Sequence, residues 1–190
     1  MTQASIKERV AALNPQNAQL KSCSEILLFV ADLNRTSVVC QENNAPYVVT
    51  DNHDALITAT TDASLACQNA AIASESLGYG TVIVGGIRRN SLQLIELCSL
   101  PDYCLPLFVL CIGKATDTPD VKPRLPEEVS VFENSYPEIN YSKIREYDAT
   151  LKAYRDTGVE SPWTQKFINY FSSNRLAVTT TALKKQKFIS

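Results

Sequence analysis

Segments of strand and helix character alternate through the middle of this chain, and on periodicity alone that predicts an α/β layer. Two observations carry the expectation. Apolar runs of strand length stand at 26–31, 81–84 and 105–112. Helical spacing runs over 54–77 between the first two runs, and a shorter helical segment follows the second. With 190 residues the chain is long enough for one domain with a real core, and a second domain would be cramped.

Each element has a local reason. Ser5 and Glu8 stand three apart among Ile6, Val10 and Leu13, the pattern of a capping box opening an amphipathic helix, which Asn14-Pro15 ends. The run ILLFVA at 26–31 is continuously apolar and reads as a strand buried on both faces. Residues 41–46 are polar and read as a surface loop. A long helix is predicted over 54–77, closed by Gly78 at its C′ position. Ala63, Ala66, Ala70, Ala73 and Leu77 fall on one face of it, so that face is expected to be buried at short range against another helix, with a subunit interface as the second choice.

Further along, the strand at 81–84 runs into Gly85-Gly86, and Asn90 with Gln93 caps a helix ending near Cys98. Pro106 begins the strand at 105–112, where a missing donor is tolerated. The stretch 117–128 is rich in proline and charge and reads as an ordered surface loop. Ile144, Tyr147, Leu151 and Tyr154 mark a helix seam, and Ser161-Pro162 opens a helix bearing Trp163, Phe167 and Phe171. The tail over 134–190 has aromatic stripes but no second core, so it must wrap its own domain or a partner subunit.

Composition excludes several function classes. The net charge of −2 and pI of about 5.5 give no pull toward nucleic acid or an acidic membrane. No apolar run reaches the ~20 residues that span a bilayer, and the first residues lack the apolar core of a signal peptide, so a cytoplasmic location is expected. The six cysteines form no C-x-x-C pair and mostly sit in apolar runs, as buried free thiols do. His53 is the single histidine, so neither a zinc site nor a Ser-His-Asp triad is expected.

Two local features point to ligands. The strand–Gly85-Gly86–helix turn lets a flat or anionic ligand approach the backbone, since glycine permits positive φ and adds no side chain. Taken alone, it fits an unliganded tight turn equally well. In the segment PDVKPRLP, prolines stiffen the chain and set Lys122 and Arg124 two apart, a pair suited to a phosphate or another anionic oxygen. Two solvated charges on a loop are the plainer alternative.

The ordered set is more specific than its parts. Gln68-Asn69, Glu75 with Gly78-Tyr79-Gly80, Val84-Gly85-Gly86-Ile87-Arg88, Leu105-Pro-Leu-Phe108 and Lys122-Pro-Arg124 together resemble the NADPH-dependent, oxygen-insensitive nitroreductases and flavin reductases of the FMN-dependent nitroreductase superfamily. Phe29-x-Ala31-Asp32, Glu133-Asn134-x-Tyr136 and Tyr147-Asp148 continue the likeness, which runs from about Ile6 to about Tyr154.

The resemblance implies an α+β fold over 1–190, with a small mixed central sheet flanked by helices and an extended C-terminal tail. It implies FMN as cofactor and NADPH or NADH as co-substrate. A ping-pong transfer to nitroaromatics, quinones or free flavin, and an intertwined homodimer, follow from it as well. Cofactor-binding roles fall on Ile83, Val84, Gly85, Gly86 and Arg88 at the ring, and on Lys122 and Arg124 at the phosphate or polar ring edge. Asn17 stands where the family places a Gly-Asn-Gln-like segment. No side chain is nominated as a chemical catalyst, because the flavin supplies the chemistry. Family members begin with an Arg-Ser-x-Arg phosphate-binding segment and a serine-rich turn, to which nothing here corresponds. The stretch 155–162 is poor in the arginines that meet the NADPH 2′-phosphate. The alternative reading is therefore a truncated family member that binds FMN weakly and acts as a binding or interaction protein.

Overall fold

The apolar run CLPLFVLCIG becomes the central strand of a three-stranded sheet. The computed structural model describes residues 4–117, 119–155, 162–173 and 177–190. In chain order the elements are α1 (Ala4–Leu13), α2 (Gln19–Ser22), β1 (Glu25–Asp32), α3 (Asn34–Glu42), α4 (His53–Ser76), β2 (Gly80–Val84), α5 (Ser91–Leu97), β3 (Cys104–Gly113), α6 (Tyr141–Arg155), α7 (Trp163–Phe171) and α8 (Ala177–Lys185). Short 3₁₀ turns occupy Gly85–Asn90 and Glu127–Val129. The chain forms two compact units, Met1–Thr116 with Leu176–Ser190, and Asp117–Arg175.

The sheet of the first unit has the order β1-β3-β2, and β3 runs antiparallel to both neighbours. The fold class is α+β, not the α/β layer that alternation suggests, and among the described residues the pairing is antiparallel rather than mixed. The physical reason is the position of β3. Strands β1 and β2 point the same way, as a strand–helix–strand pattern requires, but β3 inserts between them in the opposite direction. The bulge at Phe29/Val30 falls opposite Pro106, where the ladder already lacks a donor.

Because it is central, β3 is buried on both faces. Val109 and Cys111 pack with Val10, Leu20, Ile26, Val84, Ile87 and Leu94, while Leu110 packs with Cys67 and Ala71 of α4. Full burial of a leucine or isoleucine such as Leu94, Leu110 or Ile26 contributes roughly 1.5–3 kcal/mol. β1 is an edge strand, and only Ile26 and Ala31 of it are fully buried. The expectation of a strand covered on both faces belongs to β3 instead.

Helix α4 is capped at both ends. Asn52 accepts from the Ala55 amide, and Gly78, with φ of 83°, closes a Schellman motif through Gly78 N to Glu75 O and Tyr79 N to Ser74 O. Its buried stripe is Ala59, Ala63, Cys67 and Ala71, while Ala66 and Ala73 are exposed and Leu77 is 75% exposed. The expected face is thus rotated. Its partner is the sheet, not a helix: small residues let α4 lie close over Phe29, Phe108 and Leu110.

Two capping expectations also change. Ser5 lies inside α1, so the capping box does not form there. Asn90 stands at the start of α5 but makes no cap; its amide crosses to α1. α3, which the apolar spacing does not predict, is started by Asp32, whose carboxylate accepts from the Asn34 and Arg35 amides. The end of the tail returns to the first unit: Ala182 and Phe188 are buried with Ala31, Ala59 and Leu105, and Phe188 O accepts from the Asp51 amide.

In the second unit, α6 buries Tyr147 and Leu151 of the predicted seam. Trp163 of α7 meets the Tyr147 ring edge-on at 6.0 Å. Asp148 starts α7, accepting from Thr164 N at 3.1 Å and Thr164 Oγ1 at 2.5 Å. The predicted cap at Ser161 and the stretch 156–161 lie outside the described residues.

Candidate functional site

The edge strand β2 delivers the diglycine. Val84 is buried in the core, so only its backbone faces outward, whereas Ile83 is 52% exposed. Gly85 and Gly86 then start a six-residue 3₁₀ turn, longer than the usual three or four residues. Among the described glycines only Gly78 has positive φ. Gly85 and Gly86 are therefore not required for a left-handed backbone, contrary to one part of the sequence argument. What they give is close approach.

The approach differs at the two positions. A Cβ at Gly85 would come within 3.1 Å of Arg88 Nη1, so that side of the turn is filled by the guanidinium. Arg88 Nη1 also donates to Leu107 O at 2.9 Å, tying the turn to the central strand. A Cβ at Gly86 would meet only Asn17 Nδ2, at 3.8 Å. Gly86 thus presents a bare, exposed stretch of backbone, with a side-chain amide beside it and a cation one residue past Ile87.

Asn17 is placed by a polar network that sequence reading missed. Asn90 Nδ2 donates to Leu13 O at 2.8 Å and lies 3.4 Å from Asn14 Oδ1; the fully buried Asn14 donates its own amide to Val10 O. Asn17 N donates to Asn14 O at 3.0 Å. The α1–α2 turn is thereby pinned to the end of the diglycine turn. The signal was the Asn-Pro pair, which reads as a helix stop but here also carries a buried polar anchor.

Lys122 and Arg124 belong to the second unit. Both are exposed, and neither is paired with a carboxylate among the described residues. Their segment is held from below: Tyr147 Oη donates to Pro123 O at 2.9 Å and Tyr154 Oη donates to Asp120 O at 2.8 Å. Ile83, Val84, Gly85, Gly86, Arg88 and Asn17 are brought together in the first unit, and Lys122 and Arg124 stand together in the second.

Among the described residues, no group of three His, Cys, Asp or Glu side chains can hold a metal, and no helix is long and apolar enough to cross a membrane. Two buried thiols are held protonated: desolvation, then the charge of Asp32, pushes the Cys104 thiol up to about 12, and desolvation with the neighbouring Cys23 does the same at Cys111.

The first unit is an α+β domain in which an antiparallel sheet lies between helices, with the exposed Gly86 backbone beside the Asn17 amide and Gly85 against the Arg88 guanidinium. The family model for the nitroreductase family, C-terminal domain, matches residues 122–190. An FMN reductase [NAD(P)H] of Bacillus subtilis is 32% identical over 191 residues, covering 96% of this chain and 76% of the relative. An oxygen-insensitive NADPH nitroreductase of Salmonella typhimurium is 36% identical over 154 residues, covering 81% and 62%. The solved structure of Bacillus megaterium NfrA2 superposes with a TM-score of 0.92 at 32% identity, covering all of this chain and 78% of that one. The NADPH:FMN oxidoreductase of Vibrio harveyi complexed with NAD+ gives 0.87 at 30% identity, with 100% and 77% covered. The chain belongs to the nitroreductase family. It spans 62% of the length of the Salmonella relative and of the NADPH-flavin oxidoreductase of Vibrio harveyi.

Proposed function

We propose that this chain is an FMN-dependent oxidoreductase passing reducing equivalents from NAD(P)H to a small acceptor such as a nitroaromatic, a quinone or free flavin. The observation that carries the reading is the bare backbone at Gly86, flanked by Asn17 and backed by Arg88. Relatives named as FMN reductases and NADPH nitroreductases support it. FMN, when bound, supplies the hydride chemistry, in a ping-pong cycle.

The chain's own residues bind and orient. Ile83, Val84, Gly85 and Gly86 would meet the ring through their backbone, most openly at Gly86, and the Asn17 amide offers a donor and an acceptor beside it. Arg88 keeps the turn on the sheet and sets a positive charge beside it, which favours an anionic ring. Lys122 and Arg124 offer charge-assisted hydrogen bonds to the FMN phosphate. Purified protein that is yellow, with flavin absorbance and parallel-line two-substrate kinetics, is the expected result. Colourless protein that takes up no added FMN would overturn the reading.

A homodimer is proposed with it, on the outer face of α4. Ile57, Leu65 and Ile72 are 63%, 61% and 56% exposed, and their spacing of eight and seven puts them on one stripe opposite the buried one. Such a stripe on a helix already packed on its own sheet suits a self-complementary contact.

A further inference from the structure

We infer that Tyr147 and Tyr154 are positioning residues that set the Lys122-Pro123-Arg124 segment for an anionic oxygen, acting through their hydroxyls. This rests on the reading that Lys122 and Arg124 receive the FMN phosphate. The two tyrosines are seven apart on α6, two helical turns, and so share one face. Their acceptors, Asp120 O and Pro123 O, are three apart in a segment with no helix or strand.

The spans match. Seven helical residues rise roughly 10.5 Å, and three residues of polyproline-type chain rise roughly 9 Å and return the carbonyl to the same side. Two hydroxyl rungs therefore fasten the segment alongside α6 without distorting either. Pro119, Pro123 and Pro126 restrict φ within and around it. With Asp120 and Pro123 fixed, Lys122 lies between the rungs and Arg124 directly follows one. Both cations remain exposed and unpaired among the described residues. A cation pair on a floating loop would lose entropy on capturing a phosphate; a fastened one loses less.

The rungs are separable from the fold. The Tyr147 ring is buried against Trp163, and phenylalanine keeps that contact. Tyr154 is 38% exposed and its hydroxyl is its one polar contact among the described residues. The test is titration of the purified full chain with FMN and, separately, with riboflavin, which has the same ring and no phosphate. For Y147F/Y154F the FMN affinity should fall about tenfold, as loss of two neutral hydrogen bonds implies, with riboflavin affinity unchanged. An equal fall for both ligands would overturn the inference, because the hydroxyls would then merely support the fold. Unchanged FMN affinity in Y147F/Y154F, with a fall in Lys122→Ala, would overturn the positioning role and leave the phosphate reading standing. Unchanged FMN affinity in Lys122→Ala and Arg124→Ala as well would overturn that reading, and the inference with it.

Discussion

Gly86→Ala separates a ligand-binding glycine from a structural one. Its backbone is not in the left-handed region, and an added methyl group meets only Asn17 Nδ2 at 3.8 Å, an ordinary contact. Alanine therefore fits the free protein, and by restricting the unfolded chain it should stabilise it by about 0.4–1 kcal/mol. In the complex the same methyl stands where a flat ligand would lie on the backbone. Forcing an extra methyl into a close contact costs about 1–3 kcal/mol, or a loss of roughly five- to a hundredfold in affinity.

Gly85→Ala should behave in the opposite way toward stability. Its Cβ would press within 3.1 Å of Arg88 Nη1 and displace the 2.9 Å hydrogen bond to Leu107 O. A hydrogen bond from a charged donor contributes about 1.5–3 kcal/mol, so after the chain-entropy gain the net loss should be about 1–2 kcal/mol. Urea unfolding of the apo forms and fluorescence titration with FMN read both quantities. Wild-type FMN affinity in Gly86→Ala would refute the role of the bare backbone. Destabilised apo Gly86→Ala would refute the geometry from which the role is argued.

Lys122→Ala and Arg124→Ala should each weaken FMN binding by about ten- to a hundredfold and leave urea stability within about 0.5 kcal/mol, since both side chains are exposed. Leu110→Ala, which empties a fully buried position between the sheet and α4, should cost about 2–5 kcal/mol in the same unfolding assay. The Cys104 and Cys111 thiols ordinarily ionise near 9 and are raised to about 12 in the fold, so the unfolded chain deprotonates first as pH rises. Their contribution to stability is whole below pH 9 and is lost between there and pH 12, which urea midpoints at about pH 8 and about pH 10.5 should show. Light scattering should give about twice the 21.0 kDa chain mass, and a charge at Leu65, as in Leu65→Lys, should return it to one.

What was legible in the sequence follows from how local its physical cause is. The three strands, α4 with its Gly78 stop, and the α6 seam at Tyr147 and Leu151 stand where apolar spacing and turn chemistry place them, because each is decided within a few residues. Strand direction was not legible. Nothing local in CLPLFVLCIG says that it enters between β1 and β2, and that one insertion converts an α/β pattern into an antiparallel sheet. The α4 stripe was misread for a related reason: alanines outnumber other small residues on the helix, but Cys67, not Ala66, faces Leu110. The missed α3 is the counterpart, since its N-terminus is set by one carboxylate at Asp32 in a stretch without apolar periodicity.

The site shows the same division at finer scale. Gly85, Gly86, Lys122 and Arg124 are nominated from the sequence because a residue type can suggest a ligand: a missing side chain, or a charge fixed by prolines. The residues that place them announce nothing of the kind. Asn90 and Asn14 bond to main-chain oxygens and to each other across more than seventy residues, and Tyr147 and Tyr154 bond to carbonyls that every sequence possesses. A hydroxyl aimed at a carbonyl carries no partner identity in the sequence, so a tyrosine in a helix seam reads as a hydrophobic residue. The one legible hint is substitution cost. At a seam position where phenylalanine or leucine would pack as well, a hydroxyl is retained against burial only if something accepts its proton. For Tyr147, which is almost wholly buried, that requirement alone predicts an acceptor, and the acceptor found is the carbonyl between the two cations.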